Sequence, residues 1–248
     1  MFNKMNGLLV MINFKSAEKL AKAMETTNLK NDAKKEDMDK LVSDAIKYGF
    51  YSVVVSPYYL SYVKKQLKNS DVNVGTVIGF PLGYNEVLTK ELEAKNSVYN
   101  GADEIDMVVN ILAIKVEDYD IVKEEIQRVV DVSKDTVVKA IIETGLLTKQ
   151  EIEKVSLIAQ ESGADFIKTS TGFNNVTGAK ATDINIIKRV VPKMKIKASG
   201  GINNYKTAFR LLSSGADRIG TSAAVAIIDE FNKSKENYEE HFDKKSII

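Results

Sequence analysis

GADEID at 101–106, GADFIK at 163–168 and GADRIG at 215–220 share one frame, and that frame decides how the chain folds. In each copy Gly closes a helical pattern, Ala-Asp turns the chain, and Ile enters an apolar run. The sixth position then falls at an equivalent place in each following strand: Asp106, Lys168 and Gly220. Side chains alternate along a strand, so these three are expected on one side, towards the axis or upper mouth of a barrel. An acid, an amine and a glycine at matching strand positions mark a candidate site rather than three unrelated strand ends.

Further apolar runs lie on either side of the repeats: FYSVVVS from Phe50, NVGTVIGF from Asn73, TVVKAIIET from Thr136 and MKIKAS from Met194. METTNL at 24–29 is a weaker run of the same kind. Helical patterns separate them, among them KKEDMDKLVSDAIKYG, NEVLTKELEAKNSVYNG and TKQEIEKVSLIAQESG, each ending in Gly. Alternation of strand and helix implies parallel strands joined by crossover helices, and eight such strands close an α/β TIM (β/α)8 barrel. The expected organisation is one domain over 1–248 with its barrel core at about 24–231. GLLVMINF at 7–14 is far short of the ~20 residues of a membrane span, and no small-residue cleavage pattern follows it. It predicts an extra N-terminal helix packed on the barrel. Beyond Phe231 the chain turns polar, and NKSKENYEEHFDKKSII predicts a terminal helix with a loose end.

Composition narrows the chemistry. The 248 residues carry a formal net charge of +1 with acidic and basic groups interspersed, which gives no footprint for nucleic acid or an anionic membrane. There is no Cys, and the one His, His241, lies in the polar tail. Disulfides and thiol catalysis are thereby excluded, catalytic zinc loses its usual ligands, and the expected location is cytoplasmic.

Lys168, in FIKTSTGF, places a charge in an apolar strand. An exposed lysine is neutral at pH 7 only about once in 2,500 molecules, so nucleophilic use requires a lowered pKa. Desolvation and a second cation both lower it. KIKASGG supplies the cation: Lys195 and Lys197 share a strand face, and Lys197 lies at the end of the strand after that of Lys168. At ~5 Å and an effective dielectric of ~20, two ammoniums repel by roughly 3 kcal/mol, about two pKa units. Taken singly, either lysine reads as a surface or phosphate-binding group; together at adjacent strand ends they point to amine chemistry. Asp106 is the matching proton handler, or else a salt-bridge partner of the two lysines. Glu104 lies deeper on the same face, and Lys139, in VVKAIIET, is an interior candidate for holding the acids. Gly200-Gly201 and Gly220-Thr221-Ser222 each precede a helix and suit an anion, with Ser170 to Gly172 completing the rim.

The series TVIGFPLG, GADEIDMVVN, VVKAIIETGLLT, ADFIKTSTGF, KIKASGGI and ADRIGTSAAVAI, in that order, resembles the deoxyribose-phosphate aldolase family over roughly 24–228. That resemblance implies a class I, Schiff-base aldolase on a TIM barrel, cleaving 2-deoxy-D-ribose 5-phosphate reversibly to acetaldehyde and D-glyceraldehyde 3-phosphate. It implies no metal or organic cofactor, a small sugar-phosphate substrate, and a homodimer or larger homo-oligomer. By motif, Lys168 is the Schiff-base lysine, Lys197 lowers its pKa, and Asp106 is the acid/base residue. Gly172, Gly201, Gly220 and Ser222 surround the phosphate, while Glu25, Thr27 and Lys139 join them as substrate-side residues. The chain departs from the family's pattern at Glu25, where Asp is usual, at Ala223, where a second Ser is frequent, and at Val54, where many relatives have Cys. Some relatives place a tyrosine at the C-terminus that reaches the site; the last residue here is Ile248, so that role is not carried over to it, and Tyr238 is the candidate that remains. Other class I aldolases and transaldolases share this amine chemistry, and a non-catalytic sugar-phosphate binder is the alternative from a different class.

Overall fold

The computed structural model describes residues 16–174 and 177–243. Eight short strands form its centre: β1 (Met24–Asn28), β2 (Ser52–Val55), β3 (Asn73–Ile78), β4 (Glu104–Val108), β5 (Val137–Ile141), β6 (Phe166–Lys168), β7 (Lys195–Ser199) and β8 (Arg218–Thr221). All eight sequence-predicted strands are present, the weak METTNL run included. Every neighbouring pair is parallel, and the order β1 to β8 closes on itself through Glu25 opposite Gly220. Strands buried on both faces read as apolar runs, as SVVV does, while EIDMV interrupts its run with Glu104 and Asp106.

Helices cover the outside: α1 (Ala17–Ala21), α2 (Lys35–Tyr48), α3 (Leu60–Gln66), α4 (Val87–Tyr99), α5 (Ile111–Lys115), α6 (Tyr119–Val132), α7 (Lys149–Glu161), α8 (Ala181–Val190), α9 (Tyr205–Ser213) and α10 (Ala224–Asp243). Their ends follow local chemistry. Thr148 and Glu151 form a reciprocal capping box that starts α7, at 3.2 and 2.6 Å. α2 stops at Gly49 in the left-handed conformation. Short α1 precedes β1, buries Leu20 and Ala21, and packs on α10. The stretch 7–14, expected to form an N-terminal helix, lies outside the described residues. The polar tail continues α10 as helix to Asp243, and residues 244–248 lie outside the described part.

The GAD repeat has a structural reason. Asp103, Asp165 and Asp217 each accept a backbone hydrogen bond from the preceding strand, from Val74, Val138 and Ile196 at 2.9, 2.9 and 2.8 Å. Their own N–H groups return bonds to the same three residues' carbonyls. Each Asp therefore staples β4, β6 or β8 to its neighbour at the lower end of the barrel. The sixth residue of each repeat is set at a fixed height above that staple.

Candidate active site

Two of the three repeat positions meet in the barrel. Lys168 Nζ donates to Asp106 Oδ2 at 2.8 Å, and Lys197 Nζ donates to the same oxygen at 2.7 Å. Lys168 and Lys197 face each other across the β6–β7 pair, so the adjacency expected of them is present. Gly220 supplies space instead of a functional group: a Cβ there would lie 2.8 Å from Lys197 Cε. That position therefore faces inward like the other two, and its missing side chain leaves room for the lysine stem.

Below this level lies a second set of charges. Lys139 Nζ is 2.8 Å from Glu104, 3.1 Å from Asp106 and 3.5 Å from Glu25. Glu25 also accepts from Lys197. Three carboxylates and three lysines thus share a nearly dry interior, all of them buried. Removing charges from water is costly, and the ion pairs offset only part of it: Glu25 Oε1, Asp106 Oδ1, both Glu104 oxygens and Lys139 Nζ are buried without a hydrogen-bond partner among the described residues.

Burial is the largest influence on Lys168 and pushes its pKa down. Lys197 lowers it further while Asp106 opposes both, leaving the amine at about 8. For Asp106, burial alone would raise the pKa; the ammoniums of Lys139, Lys168 and Lys197 outweigh it and hold the carboxyl well below its usual range. Glu25 follows the same logic through Lys139 and Lys197. Glu104 goes the other way, raised by burial and then by Glu25.

A cavity of about 660 Å³ opens above Lys168, of a size usual for small-molecule sites. Thr27, Gly172, Gly201, Gly220 and Ser222 line it with Lys168. Glu25 and Lys139 do not line it; both lie fully buried in the charge cluster beneath. Hydroxyls fasten the upper loops to one another. Thr169 Oγ1 donates to Ser199 O at 3.2 Å, Ser199 Oγ to Ser170 O, and Thr221 Oγ1 to Ile202 O at 2.6 Å. Gly178 lies against Gly200 so closely that a Cβ would meet the Gly200 carbonyl oxygen at 2.0 Å. The N–H groups of Gly172, Gly201 and Ser222 donate to no acceptor among the described residues. All three residues line the cavity, and Ser222 stands just before the start of α10.

Sequence reasoning missed the aromatic wall. Phe80 places its ring 6.0 Å from Lys168 Nζ, and Phe173 meets Phe80 edge-on at 5.1 Å. Both residues stand in the motifs quoted above, but nothing in a turn sequence says which way a ring points. Glu143, within IIETG, was also passed over; its carboxylate binds the loop after β6.

A sequence profile described as DeoC/LacD family aldolase matches residues 20–227. The deoxyribose-phosphate aldolase of Caldicellulosiruptor saccharolyticus is 48% identical over 217 residues, 86% of this chain and 98% of that protein. The enzyme of the same name from Thermococcus kodakarensis is 48% identical over 215 residues, 85% of this chain and 96% of the other. Among solved structures, the deoxyribose phosphate aldolase from Aeropyrum pernix, described as a unique tetramer, superposes with a TM-score of 0.83. It is 32% identical, with 91% of this chain and 96% of that one covered. On a match that runs from α1 to the first turn of α10, with these relatives aligned over nearly their whole length, this chain belongs to the DeoC/LacD family of aldolases.

Proposed function

We propose that this chain is a deoxyribose-phosphate aldolase, cleaving 2-deoxy-D-ribose 5-phosphate reversibly to acetaldehyde and D-glyceraldehyde 3-phosphate. One observation carries the reading: a buried amine at the floor of a cavity, lowered to about 8, shares a carboxylate oxygen with a second lysine. In the cleavage direction neutral Lys168 adds to the C1 aldehyde of the open-chain sugar. Asp106, held ionised, passes the proton released by the adding amine to the carbinolamine oxygen, which takes a second proton from solvent and leaves as water. The resulting iminium draws the electrons of the C2–C3 bond as the C3 hydroxyl gives its proton to Asp106, directly or through water, from where it is available for C2. Glyceraldehyde 3-phosphate departs, and an enamine remains on Lys168. Protonation at C2 and hydrolysis then release acetaldehyde and restore the amine.

The iminium is the electron sink, so the chemistry asks for neither a metal nor an organic cofactor. Lys197 keeps Asp106 charged and Lys168 deprotonable, while Lys139 and Glu25 hold this arrangement from below. Gly172, Gly201, Gly220 and Ser222 form the rim for the phosphate, with Thr27 beside the sugar hydroxyls. The wider reading is a single catalytic domain over 1–248, acting in the cytoplasm as a homodimer or larger homo-oligomer in deoxyribonucleotide catabolism. No helix among the described residues is long and apolar enough to cross a membrane. The test is product analysis. Purified protein given 2-deoxyribose 5-phosphate should release acetaldehyde and glyceraldehyde 3-phosphate in equal amounts; a different aldehyde donor would place it with another class I aldolase.

A further inference from the structure

Glu143 is buried yet stands apart from the lysine cluster. It follows β5 in the left-handed region, φ 49° and ψ 61°, a conformation that a non-glycine residue keeps only where its surroundings hold it. Three donors converge on its carboxylate. The Thr171 N–H lies at 3.2 Å, the Thr171 hydroxyl at 2.5 Å and Asn174 Nδ2 at 2.8 Å. No ion pair to Glu143 is present among the described residues, so neutral donors alone offset the burial of this acid.

All three donors belong to the loop after β6, which brings Thr171, Gly172 and Phe173 to the cavity. Thr171 Oγ1 also accepts from the Phe173 N–H at 3.1 Å. Bonds therefore grip the turn on both sides of Gly172, itself at φ 79°. We propose that Glu143 is the positioning residue that sets the preference for phosphorylated over unphosphorylated substrate, by holding the turn at 171–174 in its phosphate-binding shape. This rests on the phosphate rim described under the proposed function. Glu143 touches neither the phosphate nor the reacting carbons; it acts through Thr171 and Asn174.

Glu143→Gln preserves size but turns one acceptor oxygen into an NH2 aimed at donors. Its KM for 2-deoxyribose 5-phosphate is expected to rise about 10-fold or more, with kcat changed less than about threefold. The kcat/KM for unphosphorylated 2-deoxyribose should stay within about twofold. Adding Asn174→Asp reverses the polarity of the partner, so the new amide donates to the new carboxylate, and most of the KM loss should recover. Equal losses on both sugars, or no recovery in the double variant, overturn the proposal. Should Glu143→Gln not fold, Asn174→Ala removes one donor and should still raise KM for the phosphorylated sugar alone; a rise shared by both sugars counts against it. Titration with inorganic phosphate, followed by 31P NMR, separates this inference from the reading beneath it. No binding to the unaltered protein sinks the rim assignment itself, whereas binding undiminished in Glu143→Gln sinks only the role of Glu143.

Discussion

Opposing fields meet at Lys168. Burial and Lys197 disfavour its charge, Asp106 favours it, and the balance near 8 leaves about a tenth of the amine neutral at pH 7. The expected pH profile of kcat/KM therefore rises with a midpoint near 8 and then levels; a midpoint near that of an exposed lysine would contradict the tuning. Lys197→Met removes the second cation but not the burial, so the midpoint should move up by about one unit and stop short of the free value. Asp106→Asn tests the opposite sign. Loss of the carboxylate removes the influence that raises the Lys168 pKa, so the midpoint should move to lower pH. Turnover should nevertheless fall by about 100-fold or more, because the proton acceptor is gone. A variant with its midpoint lowered and its turnover intact would remove Asp106 from the chemistry. At this scale the sequence showed which charges would be neighbours, since strand register follows from spacing. It did not show that burial would outweigh charge repulsion at Lys168, because desolvation depends on the closed barrel around it.

Register is where the repeat acts at the scale of elements. Each GAD aspartate binds two backbone groups of the neighbouring strand, and three residues later comes the position that faces the axis. Asp165→Ala should cost about 1–3 kcal/mol in denaturant unfolding, the loss of a charge-assisted bond, and should lower activity through the height of Lys168. A stability loss with unchanged turnover would mean that the staple holds the fold without setting the site. A second device joins α4 to α6. Lys90 and Glu125, both fully buried, pair at 2.5 Å, and each also holds a loop backbone, Gly83 O at 2.6 Å and Asn110 N at 2.6 Å. Lys90→Met leaves the acid unpaired and should destabilise by about 3–5 kcal/mol, while Lys90→Met with Glu125→Leu should recover part of that. Denaturant midpoints for the single and double variants check this. Neither Lys90 nor Glu125 announces its partner in the sequence, since each stands in an ordinary amphipathic helix pattern and the pair exists only once two helices pack.

In the whole molecule, the legible features were those that recur with a period. Eight apolar runs, helices between them and three copies of one hexapeptide gave the barrel and the convergence of Asp106 with Lys168. Features resting on a single side chain's direction were not legible: the Phe80 ring beside Lys168, the Glu143 grip on the loop after β6, and the descent of Glu25 beneath the cavity floor. Glu25 accepts from Lys197, a contact that no motif spells out. The reaction as a whole runs on an iminium, so activity after exhaustive EDTA treatment should equal that of untreated protein; loss restored by a divalent ion would overturn a metal-free mechanism. The most direct test of the central claim is covalent. Borohydride added in the presence of acetaldehyde should reduce the Schiff base and fix a two-carbon adduct, which peptide mapping by mass spectrometry should place on Lys168 at close to one per chain. Lys168→Leu should take up none, and an adduct found mainly on Lys197 or Lys139 would contradict the account.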